Sequence, residues 1–250
     1  VSAATQQLPA FENEDYGLLL YGLASLGQPL PPAMLAALCA QVQRKLPALS
    51  GEGLALLVWG LAQYGYDGAH RGSGGGGGDA AGTWWREVYA EWCAKWDGMG
   101  LRGAACAALG IAQLGPAHAP PGEWETGWVQ RYRALLGPEG RPGSWRELLV
   151  GLRCAAGCEP GEGLPDSAWL CTLLLQLGKA LGLQEPAAGA AALAALVADV
   201  NAEAAVAGDA AAAAAAGGTA LDDARASWAL GMVGAQQQRP QPASATAVLL

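Results

Sequence analysis

Apolar residues recur along this chain at spacings of three and four, the period of a helix with one buried face. Leu54, Leu57, Val58, Leu61 and Tyr64 form one such stripe, and Gly65 follows where a helix C-cap glycine takes the left-handed conformation. Ser50 stands ahead of the stripe in the place of an N-cap. Inside it lies Gly60, directly after Trp59, where glycine costs roughly 1 kcal/mol relative to alanine. The same construction occurs elsewhere. YGLASLG (Tyr21–Gly27), WGLAQYG (Trp59–Gly65) and LGIAQLG (Leu109–Gly115) share one template: large apolar, Gly, Leu or Ile, Ala, any residue, Leu or Tyr, Gly. WALGMVG (Trp228–Gly234) fits with Ala and Gly exchanged, and VGLRCAAG (Val150–Gly157) is a degenerate copy with an arginine inside.

A second set of amphipathic segments alternates with these. Pro31–Leu46, Pro120–Leu136 and Leu164–Leu181 open on proline, which is tolerated in a first helical turn because its missing N–H had no helical partner. Thr83–Trp96 fills the same slot without one. The unit is therefore helix, short turn, helix, glycine. Gly27 and Gly65 lie 38 residues apart, and removing about a dozen residues of the tract AHRGSGGGGGDAAG (Ala69–Gly82) brings the next step near the same length. These spacings predict an all-α fold: an α-solenoid of about four to five helix pairs of ~38 residues, partly degenerate, with Gly- and Ala-rich insertions. The array spans residues 1–182, interrupted at 69–82. An Ala-rich tract follows at 183–218, helical over Ala187–Val206 and loop thereafter. The last repeat helix lies at 219–236 and a tail at 237–250. Gly60 and its counterparts Gly22, Gly110 and Gly151 are expected to be buried where neighbouring helices approach.

LSGEGLALLVWGLAQYGY (Leu49–Tyr66), preceded by PPAMLAALCAQVQRKLPA, resembles one unit of the octotricopeptide repeat proteins, the 38-residue helix-pair repeats of green algae. The shared features are the leading prolines, the turn Lys45-Leu46-Pro47 and the Trp-x-Leu-Ala-x-x-Gly ending. The resemblance covers most of residues 12–157. It implies an α-solenoid of the mitochondrial matrix or chloroplast stroma that binds RNA, either ribosomal RNA or an organellar transcript. Such a protein would be a structural subunit of a larger ribonucleoprotein, such as an organellar ribosome, with other protein subunits as partners. The alternatives are an mRNA maturation or translation factor, and a protein–protein scaffold without direct RNA contact. This chain departs from the family in being acidic, in its motif drifting after Gly115 and in showing no C-terminal RAP-type domain.

Charge modifies this picture. The net charge is −8 and charged residues are 14% of the chain, so any RNA contact must be a local patch. Arg44 and Lys45 end one helix. Arg131, Arg133, Arg141, Arg146 and Arg153 lie between Thr126 and Cys158 with only Glu139 and Glu147 against them. Arginine suits phosphate through its planar bidentate fork, whereas cations at helix ends also answer the helix dipole. Trp84, Trp85 and Trp92 are candidates for a partner surface, because tryptophan is enriched at interfaces, and inter-helix packing is the competing role.

Other chemistry is thin. His70 and His118 stand apart from cysteine or carboxylate clusters, and GSGGGGGD (Gly72–Asp79) lacks the strand, lysine and helix of a phosphate loop. Cys154 and Cys158 are four apart without the further ligands a metal wants. No catalytic residue, cofactor or metal is expected. The six cysteines form no C-x-x-C pair and are expected as buried reduced thiols. No membrane partner is expected either: the segment from Ala168 is broken by Gln176 and Lys179, and the one from Ala187 is mostly alanine.

Overall fold

The computed structural model describes residues 8–66, 79–158, 161–186 and 189–216, and these are all-helical. The motif segments form α1 (Asp15–Ser25), α3 (Gly51–Gln63), α5 (Leu101–Leu114) and α7 (Trp145–Ala156). Between them run α2 (Pro32–Lys45), α4 (Asp79–Cys93), α6 (Gly122–Leu136) and α8 (Ala168–Leu181), followed by α9 (Ala190–Ala216). The motif helices neighbour one another in chain order, α1 on α3, α3 on α5 and α5 on α7. The intervening helices do likewise from α4 to α6 to α8, and α9 packs on α7 and α8.

Local signals set the boundaries. Pro32 begins α2. Ser50 Oγ accepts from the Gly53 N–H at 3.0 Å, Ser144 Oγ from Glu147 at 3.2 Å and Ser167 Oγ from Leu170 at 3.3 Å, each satisfying an orphan donor of a first turn. Gly27, Gly65, Gly115 and Gly157 close the four motif helices with φ of 59°, 62°, 86° and 77°, a region open to glycine and strained for other residues.

The motif glycine at Gly60 lies against α1. A Cβ built there would sit 2.7 Å from Leu20 Cβ and 3.0 Å from its carbonyl carbon. At Gly110 it would sit 2.8 Å from Trp59 Cα and 3.2 Å from the Val58 carbonyl carbon. Leu20–Tyr21 and Val58–Trp59 are matching places of the template, so the two contacts are one contact moved along by a unit. Gly22 and Gly151 do not follow: nothing lies within 4 Å of a Cβ at either. For Gly22 the reason is that no described α-helix precedes α1. For Gly151 it is register. Counted back from Gly157 as Gly60 is from Gly65, the glycine place falls on Leu152, which is buried, while Gly151 faces outward.

Carboxylates join successive motif helices as well. Glu14, just ahead of α1, accepts from the Ser50 N–H at 3.1 Å and its hydroxyl at 2.8 Å, at the start of α3. Glu52, 38 residues on, accepts from the Gly100 N–H at 2.8 Å, at the start of α5. A negative group here answers both an orphan donor and the positive end of the helix dipole.

Two expectations need correction. The helix α4 begins at Asp79, four residues inside the tract expected to be an insertion, and the rest of that tract, with His70, lies outside the described residues. The helix α9 runs to Ala216 rather than ending near Val206, because Ala210–Ala216 is a run of the strongest helix former. Its residues Ala190–Ala212 are also long and apolar enough, by length and composition, to cross a membrane. Leu193, Val197, Val200 and Ala204, at spacings of four, three and four, turn one stripe of it into the core. The expected last repeat helix, with Trp228, and the tail lie outside the described residues.

Candidate nucleic-acid interface

Tryptophan fills the core on the α4–α6–α8 side. Trp84, Trp85 and Trp92, the candidates for a partner surface, are 2%, 3% and 0% exposed. Trp84 meets Trp85 edge to face at 4.6 Å between centroids, and Trp92 meets Trp124 at 5.3 Å and 73°. Trp124 carries the contact on to Trp169 of α8 at 6.3 Å. Such edge-to-face pairs add about 0.5–1.5 kcal/mol to the area they bury. Their role is packing: α4 touches both α3 and α6, so residues spaced by seven and eight are covered from more than one side.

The seven candidate cations divide by what they touch. Lys45 Nζ donates to the Phe11 carbonyl and lies 5.4 Å from the Tyr16 ring centroid, tying α2 to the chain before α1. Arg131 holds the turn before α5, donating from Nε to the Met99 carbonyl at 2.9 Å and from Nη2 to the Asp97 carbonyl at 2.8 Å. Arg146 pairs with Glu203 of α9, both side chains about half exposed. Arg153 is half-buried in α7, and Arg44 is exposed on the last turn of α2.

The remaining two come together. Arg133, from the last turns of α6, and Arg141, from the loop that follows, line one groove of about 410 Å³. Its other walls are Val129, Gln130, Ala134, Gly137, Pro138 and Ala180. Gly137, at φ 63°, turns the chain after α6 so that the loop comes back beside the helix. Among the described residues that line the groove there is no carboxylate. Lys179, the residue before Ala180, is exposed in the last turn of α8 and was not among the candidate cations. Its signal was the same as for the others, a cation closing a helix. Arg133, Gln130 and Arg141 offer an anion several donors, and the guanidinium forks fit phosphate oxygens in pairs.

The cysteines are mixed rather than uniformly buried. Cys39, Cys106 and Cys171 are buried, Cys93 and Cys158 intermediate, and Cys154 exposed. Burial pushes the Cys106 thiol far above its ordinary range, with Cys158 adding to the effect. Burial, reinforced by Glu162, pushes Cys158 up to about 11.

No family model, curated protein or solved structure matches the chain.

Proposed function

We propose that this chain is a helical-repeat protein of the octotricopeptide kind, an α-solenoid of about four to five units that binds organellar RNA as a structural subunit of a larger ribonucleoprotein. The observation that carries the reading is the groove between α6 and α8, where Arg133 and Arg141 stand together with no carboxylate among the described lining residues, in a chain of net charge −8. Phosphates are the polyanion such a groove suits, and a scaffold reading gives the paired arginines nothing to do. The recurrence of the Gly60 contact at Gly110, and of the Glu14 bond at Glu52, supports a stack built by one repeated operation. Within this reading Lys45, Arg131 and Arg146 hold the fold, and Arg133, Arg141, Arg44 and Lys179 meet RNA.

The test is salt-dependent binding of a structured organellar RNA to the purified chain. Affinity should fall linearly on a log–log plot against salt. The double variant Arg133→Gln/Arg141→Gln should lower that slope by about 1.4–1.8, the loss of two phosphate contacts. A slope equal to that of the unaltered chain, or no binding at low salt, sinks the proposal in favour of a protein scaffold.

A further inference from the structure

The groove that holds Arg133 and Arg141 is only partly cationic. One face of α6 runs along it, with Gln130, then Arg133 and Ala134, then Gly137, at steps of three and four. The loop that turns at Gly137 adds Pro138 and Arg141, and α8 adds Ala180. Val129, 9% exposed, makes the most buried part of the described wall. Glu139, between Pro138 and Arg141 in the chain, is not part of the lining. Lys45, Arg131 and Arg146 are tied to carbonyls or to a carboxylate inside the chain. The side chains of Gln130, Arg133 and Arg141, by contrast, have no hydrogen-bond or ion-pair partner among the described residues. Their polar groups are available to a ligand, and the rest of the wall suits something apolar.

We propose that this groove takes one unpaired nucleotide of an RNA, its base turned out of a bulge or loop, rather than the backbone of a paired helix. The inference rests on the RNA reading above and narrows it. Arg133 and Arg141 hold phosphate through their planar forks, the base lies against Val129, Ala134 and Pro138, and Gln130 meets the edge of the base. Three features select an unpaired base. A paired helix turns phosphate and sugar outward and keeps its base faces stacked, so it has no apolar surface to set against those three side chains. The groove, about 410 Å³, has the size of a site for one small ligand, and two arginines share it where a tract of successive phosphates would need a longer row of cations. Gln130 stands nearly a turn of α6 before Arg133, about 4.5 Å along the axis, so a base and its phosphate reach different side chains. Its amide carries a donor beside an acceptor. Phosphate uses only the donor, whereas adenine answers both with its amino group and the neighbouring ring nitrogen.

The test compares three RNA duplexes of one sequence on the full chain by fluorescence anisotropy: fully paired, with a single bulged adenine, and with an abasic residue in the place of that adenine. The abasic duplex keeps the added phosphate and the flexibility of the bulge, so it separates the base from the bend. The bulged adenine should bind about tenfold or more tightly than the other two, the discrimination that a bidentate base contact supplies. Gln130→Ala, at an exposed place on α6, should bring the bulged adenine down to the abasic level. The log–log salt slope counts phosphates and should stay that of the unaltered chain. Equal affinity for the adenine and abasic bulges overturns the inference, and so does a Gln130→Ala variant that keeps the full preference. If all three duplexes bind equally and all weaken with Arg133→Gln/Arg141→Gln, the inference fails and the RNA reading stands. Absence of binding to any of them at low salt removes both, as does displacement of the RNA by a polyglutamate peptide of equal charge concentration.

Discussion

Leu20 occupies the space that a side chain on Gly60 would need, its Cβ 2.7 Å from the place of a Gly60 Cβ. Alanine there would gain ~1 kcal/mol of helix propensity but force apart two packed helices, at a cost of about 1–3 kcal/mol. Gly60→Ala should therefore destabilise the chain. Gly110→Ala should do so more strongly, because all its near neighbours are Trp59 and Val58 backbone, whereas the nearest atom at Gly60 is the Leu20 Cβ with backbone 3.0 Å away. Gly151→Ala, on an open helix surface, should stabilise by up to ~1 kcal/mol. Urea denaturation of the three variants reads out the signs. A stabilised Gly60→Ala would mean that the helices do not meet as closely as described.

The carboxylates that start each next helix make a second prediction. Removing Glu14 takes an acceptor from the Ser50 N–H and hydroxyl, and removing Glu52 takes one from the Gly100 N–H. Glu14→Ala and Glu52→Ala should each cost about 1 kcal/mol, the usual cost of a lost helix cap with its dipole interaction. Glutamine at either place keeps an oxygen acceptor and should recover part of it. If both alanine variants match the unaltered chain in denaturant midpoint, the bonds between helices carry no stability.

What could be read from the sequence follows from range. Caps and C-terminal glycines are local, so Ser50, Pro32 and Gly65 announced their roles. The motif glycine was legible because it recurs with large neighbours. Its failure at Gly151 was hidden in VGLRCAAG, which carries one residue too many between its glycines and so shifts Leu152 into the slot. The Glu14 and Glu52 bonds were illegible, since each joins residues 36–48 apart and neither glutamate differs from a surface carboxylate in the sequence. Burial of Trp84, Trp85 and Trp92 depends on how many neighbours α4 has, which spacing along one helix does not reveal. The arginine cluster misled for a related reason. Five arginines within about 23 residues are sent by α6, its loop and α7 to different faces, and only Arg133 and Arg141 share a groove.

The thiols give a reactivity order and a pH effect. Cys154 is exposed and should be alkylated first by iodoacetamide at pH 8. Cys106 is buried, and Cys158 titrates near 11, so both hold too little thiolate to react until the chain opens. In the unfolded chain each thiol returns toward its ordinary value of 9. Above that pH the unfolded state has released protons that the folded state still holds, so stability falls as pH rises. For Cys158 the stability present below pH 9 is lost progressively toward pH 11. Cys158→Ala should flatten that part of the curve, measured by denaturation at pH 8, 9, 10 and 11. Equal slopes with and without the thiol would remove Cys158 as the cause.

Arg131 and the Arg133–Arg141 pair should respond to substitution in opposite ways, although they are nearly adjacent in the chain. Arg131 donates to the carbonyls of Asp97 and Met99, and the Met99 side chain is fully buried. Arg131→Ala leaves those acceptors without their charged donor, at a cost of about 1–3 kcal/mol. Arg133 and Arg141 are exposed at the groove, and alanine at either should alter stability by no more than about 0.5 kcal/mol. RNA affinity should show the reverse order. The groove variants should weaken binding and flatten its salt dependence, while Arg131→Ala, assayed below its unfolding temperature, keeps the salt slope of the unaltered chain. Measuring both properties on the same three proteins separates a cation that holds a turn from cations that hold phosphate. A parallel loss of stability and affinity in all three would place Arg133 and Arg141 among the structural cations and leave the groove without a ligand.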